Sequence, residues 1–260
     1  MLIVPEQRRI WTPHQQQQAA PHAALLMTTG APPDPYFGNV VNLTTFDGAN
    51  GATTFPNLAT TGAGPAFAVF SGTPALSNAY AEYASQATSL ATTRDNMVDT
   101  GTNAIYNMPQ GDFTLEMSMM VRDTGTAGNA VVWEFLHSGS GRVLWGYIPS
   151  KSSPNYRASA EVTSYASLGT GSNSVPLDAW HKHAVVRSGV LTYYFIDGVL
   201  QGSSANISGS GNASGTTAIN LAARSPNAIA SIYFANFRYT KGVGRYTANY
   251  TPATGPFPTS

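Results

Sequence analysis

Few of the 260 residues are of types that do chemistry, and those few sit in short settings that can be weighed one by one. His181 and His183 flank Lys182, so on a strand the two imidazoles share a face and could grip a metal ion, with His137 as a third ligand. Asp47-Gly48 and Asp197-Gly198 could lend carboxylates to calcium, which wants about six to eight oxygens. Each group also has a plainer reading. The histidines would lie on the polar side of a strand whose Trp180, Ala184 and Val186 face inward while Lys182 snorkels, and an Asp-Gly pair is usually just a turn. No metal and no cofactor is therefore expected; Asp47, Asp197, His181 and His183 are the positions to inspect, and calcium is the ion to consider.

Catalysis needs groups of matched proton affinity held close together. The chain has no Gly-x-Ser-x-Gly elbow, no His-Glu-x-x-His, no Gly-x-x-x-x-Gly-Lys-Ser/Thr loop and no Gly-x-Gly-x-x-Gly. No enzyme is expected. Trp133 and Trp145 alternate with Phe135, Val143 and Tyr147 in the manner of core residues, whereas Trp11 follows Arg8 and Arg9 in a segment without strand pattern. That trio reads as an anchor for a partner's pocket.

Composition narrows the partners. Charged residues make up 10% of the chain, 13 acidic against 13 basic, and three of the basic ones are Lys, so no field draws the protein to nucleic acid or to a membrane surface. Thr, Ser, Gly, Ala and Asn fill the surface instead, which suits packing against proteins or sugar. With no cysteine there is no disulfide framework. The start, Met1-Leu-Ile-Val-Pro-Glu-Gln-Arg-Arg9, has an apolar run too short and on the wrong side of its basic pair for a secretion signal. The uncharged stretch from Gly48 to Ala81 is too rich in Thr, Gly, Pro and Asn to cross a membrane as a helix. The sequons at Asn42, Asn206, Asn212 and Asn249 read as chance matches in so Asn- and Thr-rich a chain.

The elements that must position these residues fall into two parts. Residues 1–38, with Gln15 to Gln18 and the cluster Ala31-Pro-Pro-Asp-Pro35, lack alternation and read as an extended arm that orders on a neighbour; only Ala19 to Met27 suits a short helix. From residue 39 the period is two. Phe113, Leu115, Met117, Met119 and Val121 fall on one face and Thr114, Glu116, Ser118 and Arg122 on the other, with Met120 the exception. Val131 to His137, Arg142 to Ile148, Arg157 to Tyr165, Trp180 to Arg187, Leu191 to Ile196, Ala218 to Ala223 and Ile229 to Tyr239 continue in that style, with Asp197-Gly198 a hairpin signal. The expectation is an all-β, two-sheet antiparallel sandwich over residues 39–260, closing with a strap over 246–260.

Asn42-Leu-Thr-Thr-Phe-Asp-Gly48, Gly111-Asp-Phe-Thr-Leu-Glu116, Trp180-His-Lys-His-Ala-Val-Val-Arg187, Phe195-Ile-Asp-Gly-Val-Leu200 and the closing run from Phe237 to Pro252 resemble, in order, landmarks of concanavalin A-like, laminin G-type jelly rolls. They look most like the LamG-like domains of bacteriophage virion proteins, over residues 39–258. The resemblance implies that Phe237-Arg238-Tyr239 closes a sheet, that Lys241 to Gly244 turns through glycine, and that Tyr246, Tyr250 and Phe257 seal the strap to the sandwich. It departs at Ala235-Asn236, where the family has an acidic pair, and at Lys182, where it has His. Glycosidases of this class aim paired carboxylates from a Glu-x-Asp-x-x-Glu strand, and none of Glu82, Glu116, Glu134 or Glu161 begins one.

The resemblance and the composition together imply a non-enzymatic virion structural protein, in the capsid decoration or in the tail or fibre, docked by its arm to other virion proteins and assembled as a homo-oligomer. The alternative is a carbohydrate- or receptor-binding module for a host-surface glycan, with Tyr156 and Tyr165 as stacking residues. Neither reading involves nucleic acid or membrane insertion.

Overall fold

The computed structural model describes residues 33–92, 97–107, 111–123, 130–137, 141–148, 157–161, 165–170, 176–204, 217–222 and 231–260. Fifteen strands lie among them: β1 Val40–Thr44, β2 Ala68–Ser71, β3 Ala75–Ser77, β4 Ser89–Thr92, β5 Met97–Asp99, β6 Phe113–Asp123, β7 Ala130–His137, β8 Gly141–Ile148, β9 Arg157–Glu161, β10 Tyr165–Thr170, β11 His181–Ser188, β12 Leu191–Ile196, β13 Val199–Ser204, β14 Thr217–Leu221 and β15 Ser231–Lys241. Two antiparallel sheets result. The first runs β13-β12-β11-β6-β15-β4-β3, with β1 also on β15; the second runs β10-β9-β8-β7-β14-β5-β2. This is the two-sheet sandwich that the alternation predicts, and Pro33–Ser260 forms one unit.

Strand β6 shows why. Its Phe113, Leu115, Met117, Met119 and Val121 enter the core between the sheets, where they meet Trp133 and Phe135 of the opposing sheet. The last strand, β15, lies at the centre of the first sheet against β6, β4 and β1. Its pairing with β6 slips between Phe234 and Asn236. That bulge lets Ile232, Phe234, Phe237 and Tyr239 all face inward although their spacing changes from two to three. The bulged Ala235 carbonyl accepts from Gln86 Nε2 at 3.1 Å, so the irregularity leaves it satisfied.

The β12–β13 turn is Asp197-Gly198, with φ of 49° and 76°, the two positive values that a two-residue hairpin of the primed type requires. At the other turn, Gly242 has φ of 81°, whereas Gly244 serves differently: a Cβ there would meet the Arg187 carbonyl at 2.6 Å. The edge strand β3 is shielded, since Gly51 N donates to Leu76 O and Leu76 N to Ala52 O, both at 2.8 Å.

Strand β11 corrects the expected orientation. Val185 joins the inter-sheet core, while Ala184 and Val186 face the other way and cluster with Phe195 beneath Tyr246 and Tyr250. His181 and His183 therefore lie on the inward side. The outer face of this sheet is itself covered by the strap, so β11 is apolar on both faces and alternation alone does not fix its phase. Tyr147 also leaves the main core and pairs with Val131 on the far side of the second sheet.

Residues 33–38, grouped with the arm by their sequence, are built into the folded unit. Asp34 N donates to the Ser260 carbonyl at 2.9 Å, and Asp34 is 8% exposed.

Candidate functional site

The predicted metal positions come together only in part. His181 Nδ1 lies 2.7 Å from Asp197 Oδ2, and the other oxygen of Asp197 accepts from Lys182 N at 2.8 Å. Burial raises the affinity of the Asp197 carboxyl for its proton, but the His181 bond, the Lys182 amide and the neighbouring imidazole charges outweigh that and hold its pKa below the ordinary value. His183 is buried, 2.9 Å from the Tyr194 hydroxyl and stacked on that ring. Burial, with the charge of His181, pushes its pKa down to about 3, against a smaller opposing pull from Asp197. It stays neutral at physiological pH. Asp47 is elsewhere, capping the amide of Ala87 at 2.8 Å. Among the described residues no three His, Asp or Glu side chains converge as metal ligands. The arrangement pins the β12–β13 hairpin to the start of β11.

A second constellation, under the strap, went unseen in the sequence. Asp34 takes a two-pronged grip from Arg245, at 2.9 and 2.8 Å, and a further bond from Arg238 at 2.8 Å. Glu116 receives Arg238 through Nε and Nη2, both at 2.7 Å, and the Tyr246 hydroxyl at 2.9 Å. Two carboxylates thus neutralise two guanidiniums, with side-chain exposures between 3% and 8%. Burial would raise the Asp34 pKa, but Arg245, the Tyr36 amide and Arg238 together hold it below the usual carboxylate value. Phe257 covers Arg238 with its ring centroid 4.2 Å away, and Tyr246 stacks on Tyr250 at 3.6 Å. Tyr250 N bonds the Gly198 carbonyl at 2.9 Å, so the strap also clamps the hairpin turn. Nearby, Glu82 meets Lys182 Nζ at 2.9 Å, so Lys182 serves an ion pair. These groups fasten the strap. Each described carboxylate in the cluster is held by a cation.

The same outer face opens beyond the strap. A groove of about 250 Å³ runs over β3, β4 and the start of β15, lined by Asn50, Thr73, Ser77, Thr92, Ser231 and Tyr233, with Gly51, Ala75, Leu76 and Ala91 between them. Its polar lining is hydroxyl and amide. Tyr233 is braced by Tyr80, edge to face at 4.9 Å, and the Arg122 guanidinium lies 4.4 Å over the Tyr80 ring. Arg122 in turn pairs with Asp178 at 2.7 Å.

Residues 90–237 match the family described as the concanavalin A-like lectin/glucanases superfamily. The chain belongs to this superfamily. No curated protein sequence matches it. Among solved structures, domain 4 of AbnA, an extracellular GH43 arabinanase from Geobacillus stearothermophilus in complex with arabinotriose, superposes with a TM-score of 0.59 at 10% identity, covering 78% of this chain and 93% of that one. The receptor binding domain of botulinum neurotoxin D gives 0.56 at 13%, covering 82% and 51%. The binding domain of botulinum neurotoxin DC in complex with rat synaptotagmin II gives 0.57 at 11%, covering 78% and 48%, so the chain spans about half of these toxin domains. At such identities the likeness is one of fold.

The remaining predicted residues of this superfamily member are scattered. Arg8, Arg9, Trp11 and Tyr156 lie outside the described residues, and Tyr165 opens β10 opposite Glu161. Of the sequons, Asn42 is fully buried with its amide on the Tyr106 hydroxyl at 2.9 Å, which closes it to sugar attachment, while Asn249 is exposed and accepts from Leu200 N at 2.9 Å through its side-chain oxygen. The groove residues come from four separate stretches, and no local sequence pattern marks them as a set.

Proposed function

We propose that this lectin-like domain is a non-enzymatic recognition module that holds a carbohydrate in its outer-face groove, carried on a bacteriophage virion. The observation that carries the reading is the groove itself: hydroxyls and an amide arranged beside a braced tyrosine, the makings of a site that exchanges hydrogen bonds with a polyol. The company of the fold supports it, since one neighbour is titled in complex with arabinotriose and others are titled as receptor-binding domains. A non-catalytic role is supported by the engagement of Asp34, Glu82 and Glu116 in ion pairs, which leaves none of them to act as acid or nucleophile on a glycosidic bond.

A glycan array probed with the full chain tests this. Selective retention of a related set of glycans is expected, without release of sugar; a blank array overturns the reading.

A purely structural role in the virion is the second reading, favoured by the resemblance to phage LamG-like domains and by the uncharged surface. Its partners would be capsid or tail subunits and further copies of the chain, engaged through the N-terminal segment. Because Asp34 belongs to the folded unit, the informative truncation removes residues 1–32 and not 1–38. The shortened protein is expected to stay folded and to be lost from particles; normal incorporation would rule out docking by that segment.

A further inference from the structure

Granting the recognition reading, we infer that the groove over β3, β4 and β15 selects uncharged saccharides of one or two rings, with Tyr233 as the platform on which a sugar face rests. The groove brings together unspent hydrogen-bonding capacity. Asn50 uses its side-chain oxygen to receive Asn78 N at 3.1 Å, and its amide Nδ2 bonds no described residue. Ser77 Oγ receives Ala79 N at 3.2 Å and keeps its own proton to donate. The hydroxyls of Ser231 and Tyr233 also bond no described residue, while Thr92 is already committed to the Ile232 carbonyl at 3.2 Å. Donors and acceptors thus face one space in mixed order. A row of sugar hydroxyls, each both donor and acceptor, is the chemistry that uses such a mixture fully.

Charge decides the class. No described residue lining the groove is ionised, so a carboxylate or sulfate placed against that described lining would shed water without gaining a cation from it, a loss that hydroxyl contacts do not make good. Arg122, which lies over the Tyr80 ring beside the groove, is taken by Asp178 at 2.7 Å. That arrangement does something else. The guanidinium holds Tyr80, and Tyr80 meets Tyr233 edge to face at 63°, which fixes the ring before any ligand arrives. An aromatic face carries negative charge density, and the C–H groups on one side of a pyranose are slightly positive, so a preset ring recruits a sugar at little entropic cost. A groove of about 250 Å³ lies just under the range typical of drug-sized ligands, which sets the occupant at one or two rings.

The test uses the full chain on an array carrying neutral, sialylated, uronate-bearing and sulfated glycans, followed by titration calorimetry with the best hit. Neutral glycans are expected to dominate. Tyr233→Ala should weaken binding at least tenfold and Asn50→Ala about threefold, while Tyr233→Phe, which keeps the ring, should bind nearly as the parent does. Circular dichroism of each variant identifies any that misfold, and Asn50, exposed in a loop, supplies a variant that leaves the sheet untouched. Preference for anionic glycans overturns the inference and leaves the recognition reading standing. So does a neutral hit whose affinity is unmoved by both Tyr233→Ala and Asn50→Ala in folded protein. A blank array removes the recognition reading, and this inference with it.

Discussion

One sheet face carries two opposite solutions. Under the strap, the outer side of β6, β11 and β15 buries four ionised groups and pairs them with each other; beyond the strap, the outer side of β3, β4 and β15 is open and lined without charge among the described residues. Water makes the difference. Where the strap excludes it, an unpartnered hydroxyl would be costly, and only a closed set of charges and hydrogen bonds is tolerable. Where water remains, hydroxyls stay unpaired at no penalty and are available to exchange solvent for ligand. The face is thus sealed on one half by the chain's own end and left ready on the other.

The comparison can be broken most directly at Arg238. Arg238→Ala takes one of two cations from Asp34 and leaves the buried Glu116 with the Tyr246 hydroxyl and the Arg245 guanidinium at 3.7 Å, and a loss of about 3–5 kcal/mol is expected in urea unfolding of the full chain. A loss near zero would mean that the strap does not keep water out. Next comes the clamp on the hairpin. Gly198→Ala puts a methyl against the Tyr250 carbonyl at a φ of 76°, and should cost about 2 kcal/mol while shifting strap resonances around Tyr246 and Tyr250. Unchanged strap signals would show that the turn and strap are independent.

The inward side of β11 offers a pH test. His183 titrates at about 3 when folded and near 6.5 when unfolded, so the unfolded chain takes up the proton first as the pH falls. Stability is intact above pH 6.5 and declines toward pH 3 by about 1.4 kcal/mol per pH unit. Asp34 and Asp197, whose folded values are depressed, lose their contributions only below about 3.8, so the window from 6.5 to 4 isolates the histidine from them. His183→Gln should flatten the slope there; an unaltered slope would show that this imidazole is solvated. The smallest effect belongs to the open half. Arg122 and Asp178 form an exposed pair, and Arg122→Ala should leave the melting temperature unchanged while loosening Tyr80 and Tyr233, read as a fall in glycan affinity.

How much of this could be read from residue order depends on distance along the chain. The sandwich was legible because β6 alternates at every position but Met120 and Asp197-Gly198 encodes its turn locally. The sealing tyrosines were legible because aromatics and prolines are dense in one short run. The phase of β11 was not, since Ala184, Val185 and Val186 are apolar whichever way they point, and only the strap's position decides between them. The ion cage was out of reach: Asp34 meets Arg238 and Arg245 across 204 and 211 residues, and no local pattern marks such a pairing. The groove was hidden for the same reason, being assembled from turns and strand ends far apart in sequence.

The placement of β15 has a consequence for biosynthesis. The first sheet is bound together through its middle by the final strand, which contacts β1 at one end of the sequence and β6 near its centre. A nascent chain on the ribosome therefore holds β6 and β11 without the rung that joins them to β4, and its apolar faces stay unmatched until residue 241 has emerged from the exit tunnel. Such a domain cannot complete its first sheet before that strand is out, and its critical interval for aggregation falls between the emergence of β6 and the docking of β15.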